Sequence, residues 1–266
     1  DRIEVKSISH TVKKKMKKLL PTEESLQHKT LKSGIWSFFS RGATRGLMML
    51  KLMIVAILLS PKDIGLLGVA LLTLATFEVF TKTGFKQSII QNKNEIKDHL
   101  NTAWTALAVR GLALYGIVFF SAPFIADFFG EPRAELVIQV IGLVLIFRGF
   151  MNIGVVLFEK ELEFHKRFLI DLSEVLPSFI ITVVLAIILR NVWALVYGTI
   201  AGVFFMMVAS FILHPYKPKF EFDLEKAREM FGFGKWIFGS SIVIFIATQG
   251  DDIFLGRVLG VISLGV

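Results

Sequence analysis

Seven long apolar runs separated by short charged connections decide what this 266-residue chain can be. They read as Gly34–Leu59, Ile64–Ile90, Leu100–Phe129, Leu136–Phe158, Phe168–Leu189, Val192–Leu213 and Gly234–Leu259. About 20 apolar residues in helical form cross the hydrocarbon core of a bilayer. In lipid every backbone N–H and C=O must be satisfied internally, which leaves only helices and closed barrels. These runs are continuous rather than alternating, so the expected fold is an all-α polytopic membrane protein of about seven transmembrane helices. The second run is the least regular, because Lys82 and Lys86 occupy its last turns.

The net charge of +8 is spread unevenly, and the pattern is a topology signal. Segment 1–32 and connections 91–99, 159–167 and 214–235 together hold nineteen Lys and Arg. The alternate connections hold only Lys62, Arg133 and Arg190. The positive-inside rule then places the N-terminus of this multi-pass chain in the cytoplasm. The cluster Lys13-Lys14-Lys15-Met16-Lys17-Lys18 reads as an anchor lying against anionic headgroups, not as a nucleic-acid site. Residues 223–233 place Leu224, Ala227 and Phe231 on one helical face, which predicts a short interfacial helix ahead of the seventh span. With no cysteine in the sequence, disulfides, thiolate metal sites and cysteine catalysis are excluded. Residues 1–30 hold no apolar core of a cleavable signal peptide, and the chain reads as a piece of a longer protein.

Charges inside apolar runs are the informative residues, since each costs at least about 2.5–3.5 kcal/mol at a helix centre on insertion scales. At ~1.5 Å per residue, Arg45 and Arg110 lie roughly 16 and 15 Å from the inner ends of their spans. Arg148 lies roughly 18 Å from the outer end of its own. Arg41 sits one turn below Arg45 on the same face. Glu78 reads as the single clear carboxylate at that depth. Arginine stays protonated, so titration gives no relief, whereas an anionic ligand does. Phosphate oxygens match the guanidinium fork. This points to a cationic cavity for a phosphate-bearing substrate, held by Arg41, Arg45, Arg110 and Arg148 and tuned by Glu78. The competing reading pairs Glu78 with one arginine, or with Lys82 on its own helix, while the others snorkel or bind backbone carbonyls.

Asp251 and Asp252 lie in the outer half of the seventh span, either as sites for a coupling ion or as structural partners of Arg257. Gly42-Ala43-Thr44-Arg45-Gly46 is a small-xxx-small pattern, expected to pack helices closely. Pro123 and Pro177 lie inside spans. The five histidines fall in connections or at span ends, and Glu161-Leu162-Glu163-Phe164-His165 reads as a charged loop rather than a metal cluster. Phe231-Gly232-Phe233-Gly234-Lys235 lacks the P-loop spacing. No nucleophile–base arrangement is visible, so neither catalytic residues, a metal nor a cofactor are expected.

Six segments carry a family resemblance. They are Ser60-Pro61-Lys62-Asp63-Ile64-Gly65, residues 83–91 (TGFKQSIIQ), residues 122–129 (APFIADFF), Glu159-Lys160-Glu161-Leu162-Glu163-Phe164, Trp193-Ala194-Leu195-Val196 and Gly256-Arg257-Val258-Leu259-Gly260. In order and spacing, from about Leu31 to the end, they resemble Wzx-type polysaccharide flippases. The nearest branch is the colanic-acid exporters of the multidrug/oligosaccharidyl-lipid/polysaccharide superfamily. The resemblance implies a transporter of two six-helix lobes in a bacterial inner (plasma) membrane that flips a polyprenyl-pyrophosphate-linked oligosaccharide to the outer leaflet by alternating access. After the basic cytoplasmic segment at 1–32 that the charge pattern gives, it implies the first lobe at 33–214, a cytoplasmic linker at 215–233 and the first helix of the second lobe at 234–266. Relatives use cavity arginines for lipid phosphates, a pattern that Arg41 and Arg45 fit.

The expected function is therefore a non-enzymatic membrane transporter for cell-surface polysaccharide. Its partners are the lipid-linked oligosaccharide and the bilayer, with other polysaccharide-assembly membrane proteins as candidates. Two rivals remain. A drug or cation antiporter of the same superfamily calls for a cavity dominated by carboxylates. A membrane-embedded glycan-assembly enzyme calls for a large extracytoplasmic loop, and the connections at 60–63, 127–135 and 190–191 are short.

Overall fold

The computed structural model describes residues 23–81, 84–91, 97–258 and 260, with side chains at 38–81, 84–90, 99–230, 238–251, 253–258 and 260. The described chain is all helical: α1 (Glu23–Leu58), α2 (Pro61–Phe80), α3 (Phe85–Gln91), α4 (Lys97–Phe129), α5 (Arg133–Ile141), α6 (Leu143–Phe150), a 3-10 turn (Ile153–Val155), α7 (Val156–Lys160), α8 (Phe164–Leu189), α9 (Trp193–Leu213) and α10 (Leu224–Val258). The basic cluster at 13–18 lies outside the described residues. We call the end of the bundle where α4, α8 and α10 begin its base.

Five described helices are long and apolar enough to cross a membrane, or six if the bent α5–α7 segment is one span. Of the seven runs read from the sequence, the one not counted by that measure is α1, whose apolar part carries Arg41, Arg45 and Lys51. Large apolar side chains cover the outside, with Phe120 76%, Phe124 74% and Ile212 76% exposed. Contiguous apolar exposure on this scale identifies a lipid-facing surface. The chain is an all-α polytopic membrane protein.

The main core joins Leu66, Val69 and Leu74 of α2, Leu114 and Val118 of α4, Val137 and Ile141 of α5, and Val196 and Val203 of α9. At the top, Ser60 caps α2 by accepting from the Asp63 N–H at 3.2 Å. Asp63 in turn accepts from Arg133, and Lys62 pairs with Glu131 at 2.8 Å. These bridges tie the α1–α2 turn to the α4–α5 turn.

Two expected spans are broken. The second ends as helix at Phe80, and Gly84, at φ +70°, turns the chain into α3. Only glycine takes that backbone conformation at little cost. The fourth bends by 69° after Phe150. At the bend Asn152 is fully buried. Its Oδ1 accepts from the Gly154 N–H at 2.9 Å, while its side-chain amide donates to the Tyr216 carbonyl at 2.6 Å. The expected interfacial helix is not separate: residues 224–233 are the first turns of the 35-residue α10. The strand of chain between α9 and α10 is strapped to α4. Asn101 accepts from the Tyr216 hydroxyl and the Lys219 N–H and donates to Glu221, while Phe220 packs on Trp104 with ring centroids 4.6 Å apart.

Candidate functional site

The polar centre is built where α2 stops. A helix end leaves carbonyls without intrahelical partners and carries the negative pole of the helix dipole. Arg110 of α4 serves that end: Nη2 donates to the Glu78 carbonyl at 3.0 Å and to Thr81 Oγ1 at 2.9 Å, and Nε donates to Thr81 Oγ1 at 3.2 Å. From α6, Arg148 Nη1 donates to both carboxylate oxygens of Glu78, at 2.9 and 3.0 Å.

The neighbours of the two arginines explain why they meet. A Cβ built on Gly111 would stand 2.6 Å from the Leu145 carbonyl oxygen, and one on Gly149 2.8 Å from the Leu107 carbonyl oxygen. Backbones this close need residues without side chains. The α4–α6 contact therefore locks at Gly111 and Gly149, and carries Arg110 and Arg148 with it. By contrast, a Cβ on Gly42 or Gly46 meets nothing within 4 Å, so the small-residue pattern on α1 packs no helix among the described residues.

A second row of charge runs along α8. Arg167, Asp171, Glu174 and Ser178 recur at helical spacing on one face. Glu174 lies within electrostatic reach of Arg148, Asp171, Arg167 and Lys51, and Lys51 of α1 donates to Ser178 Oγ at 3.1 Å. Lys51, Glu174, Ser178 and Thr199 line a cavity of about 170 Å³. Nearer the base, Ser40, Arg41, Glu159, Phe164, Arg167 and Asp171 line one of about 240 Å³. Glu78 is thus not the single deep carboxylate that the sequence reading named. Glu174 and Asp171 were passed over because they fall within two turns of the start of the fifth span. Their spacing with Arg167 and Ser178 was the signal that could have found them.

Of the residues singled out in the sequence, Arg110, Arg148 and Glu78 come together. Arg41 instead stands at the cleft beside Arg167 and Asp171, and Arg45 is exposed on α1. Asp251 is exposed on α10, while the side chain of Asp252 lies outside the described residues. Arg257 lies over the Phe128 ring at 5.2 Å from its centroid. Glu78 binds Arg148; its alternative partner Lys82 lies outside the described residues. Among the described residues, no group of three or more His, Cys, Asp or Glu is arranged to hold a metal.

A family model described as polysaccharide biosynthesis protein matches residues 54–266. The lipopolysaccharide biosynthesis protein WzxC of Escherichia coli (strain K12) is 28% identical over 242 residues, covering 89% of this chain and 48% of that protein. The succinoglycan biosynthesis transport protein ExoT of Rhizobium meliloti (strain 1021) is 24% identical over 231 residues, covering 86% and 47%. An uncharacterized membrane protein in the cps region of Klebsiella pneumoniae is 27% identical over 246 residues, covering 91% and 50%. No solved structure matches the chain. The chain spans about half the length of these curated relatives. These matches agree with the Wzx-type resemblance carried by the sequence segments, and the chain belongs to the polysaccharide biosynthesis protein family.

Proposed function

We propose that this chain is part of a transporter that moves a polyprenyl-pyrophosphate-linked oligosaccharide from the cytoplasmic to the outer leaflet by alternating access, for cell-surface polysaccharide. In this reading 33–214 is the first lobe, 215–233 the linker and 234–266 the beginning of a second lobe. The charge asymmetry of the connections supports a cytoplasmic N-terminus and therefore a cytoplasmic base. A relative that carries the words transport protein in its name supports transport over synthesis.

The observation that carries the proposal is the pair of half-used guanidinium groups at the end of α2. Arg148 donates from Nη1 alone and Arg110 from Nε and Nη2 alone, among the described residues. Each keeps donors for phosphate oxygens, while Glu78 binds Arg148 directly and Glu174 acts on it only at electrostatic range. The Arg148 side chain is 43% exposed and that of Glu78 29%, so the pair is reachable. Arg110 and Arg148 hold the pyrophosphate, Glu78 orients Arg148, and Arg41 and Arg45 line the approach along α1. Asp251 and Asp252 remain the candidates for ion coupling on α10.

Transport by the full-length protein in proteoliposomes tests this. Arg110→Ala and Arg148→Ala should each slow delivery of the lipid-linked oligosaccharide at least tenfold with insertion intact. Full transport by both variants would overturn it.

A further inference from the structure

The cleft near the base differs in chemistry from the arginine pair, and the difference points to a different part of the substrate. Two cations, Arg41 and Arg167, line it against two carboxylates, Glu159 and Asp171. A phosphate entering it would meet both carboxylates. A sugar hydroxyl both donates and accepts, so it is served by guanidinium donors and carboxylate acceptors side by side.

We propose that the cleft of Ser40, Arg41, Glu159, Phe164, Arg167 and Asp171 binds an uncharged pyranose ring of the lipid-linked substrate. The proposal rests on the function given above and names what that site recognises beyond phosphate. The acceptors are held in place before any ligand arrives. Asp171 pairs with Arg167 at 3.0 Å, and Glu159 pairs with Arg167 at 3.3 Å and with Lys86 at 3.4 Å. Groups fixed in this way lose little freedom on binding. The half-buried Phe164 ring offers an apolar platform for the C–H face of a pyranose.

Size and position agree. About 240 Å³ is below the about 300–1,000 Å³ of sites for drug-sized ligands, which suits one ring rather than an oligosaccharide. Asp171 and Glu174 are neighbours along one face of α8, and Glu174 is within electrostatic reach of Arg148. The cleft is therefore one step along α8 from the phosphate donors, the arrangement that a sugar joined to a pyrophosphate requires.

The test is binding to the full-length protein in nanodiscs with two probes, polyprenyl diphosphate and the same lipid carrying one glucose. The wild type should bind the glucosylated lipid at least tenfold more tightly. Asp171→Asn and Phe164→Ala should each remove most of that preference without weakening the bare diphosphate. Equal binding of the two lipids by the wild type overturns the proposal, as does a preference kept in both variants or a parallel loss of both lipids. Arg148→Ala separates the two readings. It should weaken both probes together, and if it weakens neither, the phosphate assignment fails while the glucose preference still judges the cleft.

Discussion

Arg148 on α6 places a single nitrogen, Nη1, 2.9 and 3.0 Å from the two carboxylate oxygens of Glu78 on α2. The contact spans 70 residues of sequence and leaves Nε and Nη2 of Arg148 without a partner among the described residues. Glu78 thus has two effects: it aims the guanidinium, and it competes with any anion for it.

Glu78→Gln keeps the shape of the side chain and removes the competing charge. Polyprenyl diphosphate should bind this variant about tenfold more tightly, or about 1.4 kcal/mol. The gain should shrink as salt rises, because counterions screen the repulsion between the carboxylate and the diphosphate. Titration of the variant in nanodiscs at low and high salt measures both. An unchanged affinity would show that Glu78 and phosphate do not share Arg148.

Gly111→Ala and Gly149→Ala push a methyl group into opposing backbone at the α4–α6 contact. Each should destabilise the protein by about 1–3 kcal/mol, as overpacking does, and slow transport by shifting Arg110 and Arg148 apart. Gly46→Ala, where the added methyl meets open space, should stay within about 0.5 kcal/mol. Thermal unfolding in detergent separates the two classes.

His214, just past α9, gives a pH signature at the base. Its ring packs against Gly154, and Nδ1 accepts the Tyr216 N–H at 3.1 Å, which requires that nitrogen to be unprotonated. Burial, helped by the Lys166 charge, holds its pKa below the ordinary 6.5. The folded state therefore binds fewer protons than the unfolded one. The stability from His214 is complete above pH 6.5 and falls as pH drops through the lowered value. Between pH 7.5 and 5 the wild type should lose more thermal stability than His214→Asn, which keeps an acceptor but does not titrate in that range.

The apolar runs made α4, α8 and α9 legible almost residue by residue, because a helix in lipid is dictated by unbroken hydrophobicity. The breaks were not legible. Asn152 turns the fourth span only because Ser210 and Tyr216, about 60 positions away, meet its backbone and side chain. The turn after α2 is made at Gly84, in a run whose only visible irregularity was Lys82 and Lys86. Arg110, Arg148 and Glu78 were found because charge in an apolar run is conspicuous. That they meet depends on Gly111 and Gly149, 38 positions apart, whereas the glycine pattern visible in the sequence, Gly42 and Gly46, packs against nothing among the described residues. Glu174 was missed because it falls within two turns of the start of the fifth run, and Lys51 although the count that singled out Arg45 puts it inside the first.

The central claim is that Arg110 and Arg148 form a phosphate-holding pair. Binding of polyprenyl diphosphate to the full-length protein in nanodiscs, wild type against Arg110→Ala and Arg148→Ala, tests it most directly. A loss of tenfold or more in each variant, with folding intact, is the expected result. Equal affinity in all three would mean that the two arginines only tie α4 and α6 to the end of α2, and would contradict the account.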